Sequence, residues 1–174
     1  TLKPDGSWEY HYSHTVRLHT YYSFHTLHGE DFIIYNPKFQ QLKVNTSTTT
    51  MLDGTIVKGP ENALNELLPS FAVNAPAFNH IREMAVTHTG LEKGAVIDFD
   101  YTLLNSKDYS PGMSGNEALM MNSSVEKFTL IIHVPKGVNL NVDQYNTEVK
   151  PVIVKEGNRV TYQWNLTNLP AAPR

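Results

Sequence analysis

Cysteine is absent from the 174 residues, which excludes disulfides, thiolate metal ligands and a cysteine nucleophile within them. The absence fixes no redox compartment, since periplasmic and cytosolic domains alike can do without Cys. Charge is scarce as well. Charged residues make up 18% of the chain, and 14 basic against 17 acidic residues leave a net charge of −3. That balance gives no electrostatic case for nucleic acid or an anionic membrane, and no nucleic-acid partner is expected. No apolar run approaches the roughly 18 residues of a membrane-spanning helix. HExxH, GxSxG and GxxxxGK are all missing; "PGMSGNE" at 111–117 holds Ser114 but not the first Gly of a nucleophile elbow.

What remains is apolar and aromatic. Hydrophobic residues are 40%, with 9 Tyr, 7 Phe and 2 Trp, a composition of folded rather than disordered chain. The length suits one domain, which buries roughly 70% of its unfolded surface. The chain opens at Thr1 inside a turn and ends in "NLPAAPR". The expectation is a fragment of a longer protein: a single β-sandwich over 1–166, and a linker over 167–174 leading to a further domain.

Period-two alternation dominates. Trp8, Tyr10, Tyr12, His14, Val16 and Leu18 share one face of a first strand, after a turn at Pro4-Asp5-Gly6. Phe32–Tyr35 is a second, stopped by Asn36-Pro37. The run 42–52, Asp53-Gly54 and 55–57 read as a hairpin with a type I′ turn. "PENALNELL" at 60–68, bounded by Pro60 and Pro69, predicts the one short helix. Strands follow at 84–89 and 95–103, the second turning Ala95, Ile97, Phe99, Tyr101 and Leu103 to the core and Asp98, Asp100 and Thr102 away from it. A polar loop spans 105–124. Phe128, Leu130, Ile132 and Val134 alternate again, and 151–155 with 159–166 form a last hairpin in which Tyr162, Trp164 and Leu166 share a face. The pattern is all-β: an antiparallel sandwich of about nine strands with one short helix.

Histidine is over-used, 8 in all, five of them at 11, 14, 19, 25 and 28. His11 and His19 lie ~26 Å apart along one strand, too far to share a metal. His25 and His28 sit near a turn and could converge with one of them. His14 falls on the apolar face, where a buried, hydrogen-bonded imidazole is the commoner arrangement. No metal site and no cofactor is expected. Asp98 and Asp100, ~6.6 Å apart on one outward face, with His88 on the preceding strand, could act as paired carboxylates or hold a cation; a solvated strand face is the simpler reading. Asn45, Asn122 and Asn165 begin glycosylation triplets that matter only in a eukaryotic secretory pathway. The candidate binding residues are Tyr21, Tyr22, Phe24, His25 and His28, with Tyr35 close by. Such rings stack on sugars or hold peptides, or else complete a sandwich core.

Three segments resemble one family. "PDGSWEYHYSHTVRLHT" at 4–20 is similar to its opening strand, "YNPKFQQLKVNTSTTTMLDGTIV" at 35–57 to its next block, and "LPSFAVNAPAFNHIREMAVTHTGLEKGAVIDFDYT" at 68–102 to its centre. "EKFTLIIHVPKG" matches more loosely. The family is the domain of unknown function numbered 3857, found N-terminal to transglutaminase-like, papain-related domains in exported proteins of Gram-negative bacteria. The resemblance implies a non-catalytic accessory β domain in the periplasm or at the cell surface. Its partner would be a downstream domain of the same polypeptide carrying the Cys-His-Asp machinery, with "YQWNLTNLPA" as the junction. A module that binds glycan or peptide on its own is the alternative; an independent enzyme using Asp98, Asp100 and His88 is a third.

Overall fold

The computed structural model describes residues 1–119 and 121–172. Among these residues the strands are β1 (Trp8–Arg17), β2 (Glu30–Tyr35), β3 (Gln40–Thr50), β4 (Ile56–Lys58), β5 (Leu64–Leu67), β6 (Arg82–Thr87), β7 (Val96–Asn105), β8 (Val125–Pro135), β9 (Val152–Glu156) and β10 (Arg159–Leu169). They form three antiparallel sheets, ordered β1-β7-β3-β4, β2-β6-β5 and β8-β10-β9. The fold is all-β, as the alternation implies. By packing, the chain divides into two compact units, Glu9–Tyr109 and the described part of Thr1–Trp8 with Ser110–Arg174.

The larger unit is a seven-stranded sandwich. Ile33 of β2 and Val86 of β6 meet Ile97 and Phe99 of β7 in one core, together with Leu18, Phe24 and Ala95. Burial along β7 follows the period of two: Ala95, Ile97, Phe99 and Leu103 are buried, and Tyr101 packs half-buried against the core. On the same inner side Tyr12 of β1 lies 5.5 Å from Tyr101, and His14 lies 5.5 Å from Phe99. The outer side of this sheet is polar. Thr15 donates to Asp98 at 2.6 Å, His11 lies 2.8 Å from Asp100, and the Asn45 amide donates to Asp100 and Thr102.

Two local expectations are corrected. The hairpin after β3 forms, with Thr50 opposite Ile56, but Asp53 does not take positive φ and Gly54 does at 87°. Its loop is therefore a five-residue turn closed by Met51 and Thr55, with the Asp53 carboxylate accepting from the Thr55 amide, not a two-residue type I′ turn. The helix at 60–68 is replaced by a 3₁₀ turn at Glu61–Ala63 and by β5, which pairs with β6 from Leu64↔Val86 to Leu67↔Glu83. Eight residues between two prolines are too short for a helix to stand without strong packing, and the free edge of β6 offers the backbone full pairing instead.

The smaller unit is the sheet β8-β10-β9. In register, Val134, Ile132, Leu130 and Phe128 face Val160, Tyr162, Trp164 and Leu166, so one side of the pair is a continuous apolar ladder. The strand β10 runs past the expected linker boundary at 167: Thr167 and Leu169 pair with Lys127 and Val125. Residues 173 and 174 of that linker lie outside the described residues. Among the described residues, no helix is long and apolar enough to cross a membrane.

Candidate functional site

The connection from β1 to β2 shapes an open depression on the larger unit. A single π-type turn, Ser23–Leu27, closes with the His28 amide donating to the Ser23 carbonyl at 2.8 Å. Gly29 follows because nothing else fits: a Cβ there would stand 2.3 Å from the Phe24 carbonyl oxygen. The Gly29 carbonyl in turn accepts from the His88 amide at 3.0 Å, which ties the turn to the end of β6.

The turn separates the five candidate residues. Phe24 points inward and belongs to the core, only 8% exposed. Tyr21 stands 71% exposed, with its ring 5.3 Å from Phe24 and stacked near-parallel to His25 at 6.3 Å. Tyr22 is exposed, His25 is exposed and 4.7 Å from the Phe24 ring, and His28 is half-buried. An open depression of about 400 Å³ adjoins this turn, lined by Phe24, His25, Leu27, Phe32, Thr87 and His88.

Beside the depression lies a cluster of polar side chains inside the sandwich. His14 arrives on the apolar face of β1. Asp31 comes from the inner face of β2, in line with buried Ile33 and Tyr35. His88 follows β6 directly and is 4% exposed. His88 Nε2 lies 2.8 Å and His14 Nε2 3.5 Å from the same oxygen, Asp31 Oδ2. The other ring nitrogen of each imidazole meets a hydroxyl: His88 Nδ1 lies 3.2 Å from Ser47 Oγ on β3, and His14 Nδ1 3.2 Å from the Tyr12 hydroxyl. The Phe99 ring packs 5.5 Å from both imidazoles.

An ionised carboxylate only accepts, so the His88 Nε2–H donates to Asp31, while Nδ1 and the Ser47 hydroxyl share a second hydrogen bond. Burial holds the pKa of His14 below the usual histidine value, with Asp31 opposing the shift. His28 shifts the same way, again through burial first and against the pull of Asp31. The run Ser47, His88, Asp31 has the residue types of a hydrolytic triad, but Ser47 lies within a strand and not on the strained strand-to-helix turn that exposes such a nucleophile.

The other proposed grouping does not assemble. Asp98 and Asp100 face outward from β7 and are engaged by Thr15, His11 and Asn45, while His88 packs inward against Phe99. Alternation decides this: Phe99, between the two aspartates, is the residue that meets His88. Asp31 and Ser47 went unrecognised in the sequence. The one available signal was Asp31 sharing the period-two face of Ile33 and Tyr35, and it is masked because Phe32 and Ile34 make the opposite face equally apolar.

Residues 4–173 match the model of a family described as a domain of unknown function with solved structure, DUF3857. No curated protein matches the chain. Among solved structures, the crystal structure of a protein described as a "putative protease" from Parabacteroides distasonis is similar over 99% of this chain, with a TM-score of 0.95 and 43% sequence identity. The matching region is 34% of that protein's chain.

Proposed function

Because the chain belongs to the DUF3857 family, we propose that it is a non-catalytic accessory β domain of a longer polypeptide, packing on or orienting a downstream transglutaminase- or peptidase-like domain. One observation carries the reading. The same fold, at 43% identity, makes up about a third of a chain described as a "putative protease", and about two thirds of that chain lies outside it. The lack of cysteine fits, since a papain-like nucleophile would have to lie outside these residues. Exposed apolar side chains supply material for docking: Phe32 and Ile34 with Leu67 on the outer side of β2-β6-β5, and Val152, Ile153 and Val154 along the edge strand β9. An extracytoplasmic location belongs to the same reading and rests on the resemblance of segments 4–20, 35–57 and 68–102.

The test compares the chain alone with the chain joined to its downstream domain. Docking that buries on the order of 1,000 Å² or more would give one cooperative unfolding transition at a raised midpoint and common tumbling in solution. Two independent transitions with independent tumbling would overturn it. A second reading, a peptide- or glycan-binding module, is favoured by the depression beside Tyr21 and His25. It predicts that Tyr21→Ala with His25→Ala abolishes binding of peptides or oligosaccharides to the isolated chain while the fold is kept.

A further inference from the structure

We propose that His14, Asp31 and His88 form a binding site for a divalent transition-metal ion of the zinc class, held by Nε2 of the two imidazoles and a carboxylate oxygen of Asp31. The three donor atoms all lie within 4.8 Å of one another. Ligands at zinc bond lengths of about 2.0–2.1 Å in a tetrahedron stand about 3.3 Å apart. The pairs on Asp31, at 2.8 and 3.5 Å, straddle that spacing. The remaining edge, from His14 to His88, lies within the same 4.8 Å. Two imidazoles and one carboxylate, without thiolate, suit zinc and its first-row neighbours rather than calcium or magnesium.

The surroundings argue more strongly than the distances. A ligating imidazole ordinarily has its second ring nitrogen fixed by a hydrogen bond. Here both do, and both partners are hydroxyls, Ser47 and Tyr12. A hydroxyl donates or accepts after a simple rotation. An ion can therefore replace the proton on each Nε2 while Nδ1 becomes the donor, leaving no buried polar atom unpaired. Phe99 walls the site, and the ligands come from β1, β2 and the residue after β6, so both sheets of the sandwich hold it in place. A metal leaves room for one more ligand, a water or an incoming group.

The experiment uses the 174-residue chain, stripped with a chelator and titrated with Zn²⁺ and with Co²⁺. One equivalent should bind, Co²⁺ should give the visible absorption of a four- or five-coordinate site, and nitrogen NMR should show His14 and His88 as Nδ1–H tautomers with metal-shifted Nε2. Asp31→Asn and His14→Gln should each weaken binding about tenfold or more, while His11→Gln and His25→Gln leave it unchanged. Circular dichroism on each variant separates lost ligands from lost folding, and the NMR readout needs no variant. Absence of stoichiometric binding by Zn²⁺, Co²⁺, Ni²⁺ or Mn²⁺ would overturn the site. So would saturation with metal that leaves the His14 and His88 nitrogens unshifted.

Discussion

Asp31 and His88 are 57 residues apart in sequence and 2.8 Å apart in the fold. Their hydrogen bond joins the first strand of the sheet β2-β6-β5 to the residue that leaves its middle strand, inside a core otherwise made of Ile33, Val86, Ile97 and Phe99. A buried imidazole N–H that loses its acceptor costs about 1–3 kcal/mol. Asp31→Ala should therefore lower stability to urea by that amount. Asp31→Asn, which keeps an acceptor oxygen of the same shape, should cost less than half as much. Equal losses in the two variants would mean that packing at position 31, not the bond to His88, carries the effect.

Much of the larger unit could be read from the chain because its strands have one wet face and one dry face. β7 shows this best: each alternate residue from Ala95 to Phe99 is buried, and Asp98 and Asp100 on the other face meet polar partners. β10 behaves alike against β8. The reading failed where periodicity carries no information. Leu64–Leu67 is too short to distinguish two helical turns from an edge strand, and only the partner strand β6 decides it. The polar cluster fails for another reason: His14, Asp31, Ser47 and His88 come from four segments with no shared spacing, so only tertiary pairing brings them together.

β5 is held by side chains as well as by its ladder. The Tyr35 hydroxyl on β2 donates to the Glu66 carboxylate on β5, and Arg82 of β6 approaches the other carboxylate oxygen at 3.6 Å. Burial, and then the bond to Glu66, push the Tyr35 pKa up to about 12. Glu66→Ala should free β5 first. Hydrogen exchange would show faster amide exchange across 64–67 with the β2–β6 pairing still protected. It should also bring the Tyr35 titration, followed by ultraviolet absorbance, back towards the ordinary tyrosine value.

Gly29 is fixed by contact and not by φ. A methyl group there meets the Phe24 carbonyl at 2.3 Å, a backbone atom that cannot rotate away. Gly29→Ala must displace either the π-type turn or the bond from the His88 amide to the Gly29 carbonyl, at a cost of about 1–3 kcal/mol. Gly112→Ala, where a Cβ would meet nothing within 4 Å, should change stability by less than about 0.5 kcal/mol. Thermal unfolding of the two variants side by side checks the contrast.

The fold should weaken in mild acid. His14 and His28 both bind a proton less readily when folded than when unfolded, because burial outweighs the attraction of Asp31. Between the folded and unfolded pKa values the unfolded chain holds more protons, so stability rises with pH there. It is complete above the ordinary histidine value of about 6.5 and is lost as pH falls from there through the lowered folded values. Urea midpoints at about pH 7.5 and about pH 5.5 should differ in that direction. The difference should shrink in His14→Phe, which removes one of the two protons. A midpoint that rises on acidification would contradict the placement of these imidazoles.

Tyr21 and Phe24 share a turn and a ring contact of 5.3 Å, yet the fold gives them opposite roles. Phe24 fills the core between Leu18, Ile33 and Val86, so Phe24→Ala should cost about 3–5 kcal/mol. Tyr21 is 71% exposed, and Tyr21→Ala should leave stability within about 0.5 kcal/mol of the parent. Any ligand of the neighbouring depression should then lose affinity in Tyr21→Ala at unchanged urea midpoint, whereas in Phe24→Ala binding and folding fall together. Loss of stability in Tyr21→Ala comparable to that in Phe24→Ala would show that the Tyr21 ring is a structural lid over Phe24, and would remove it from any binding surface.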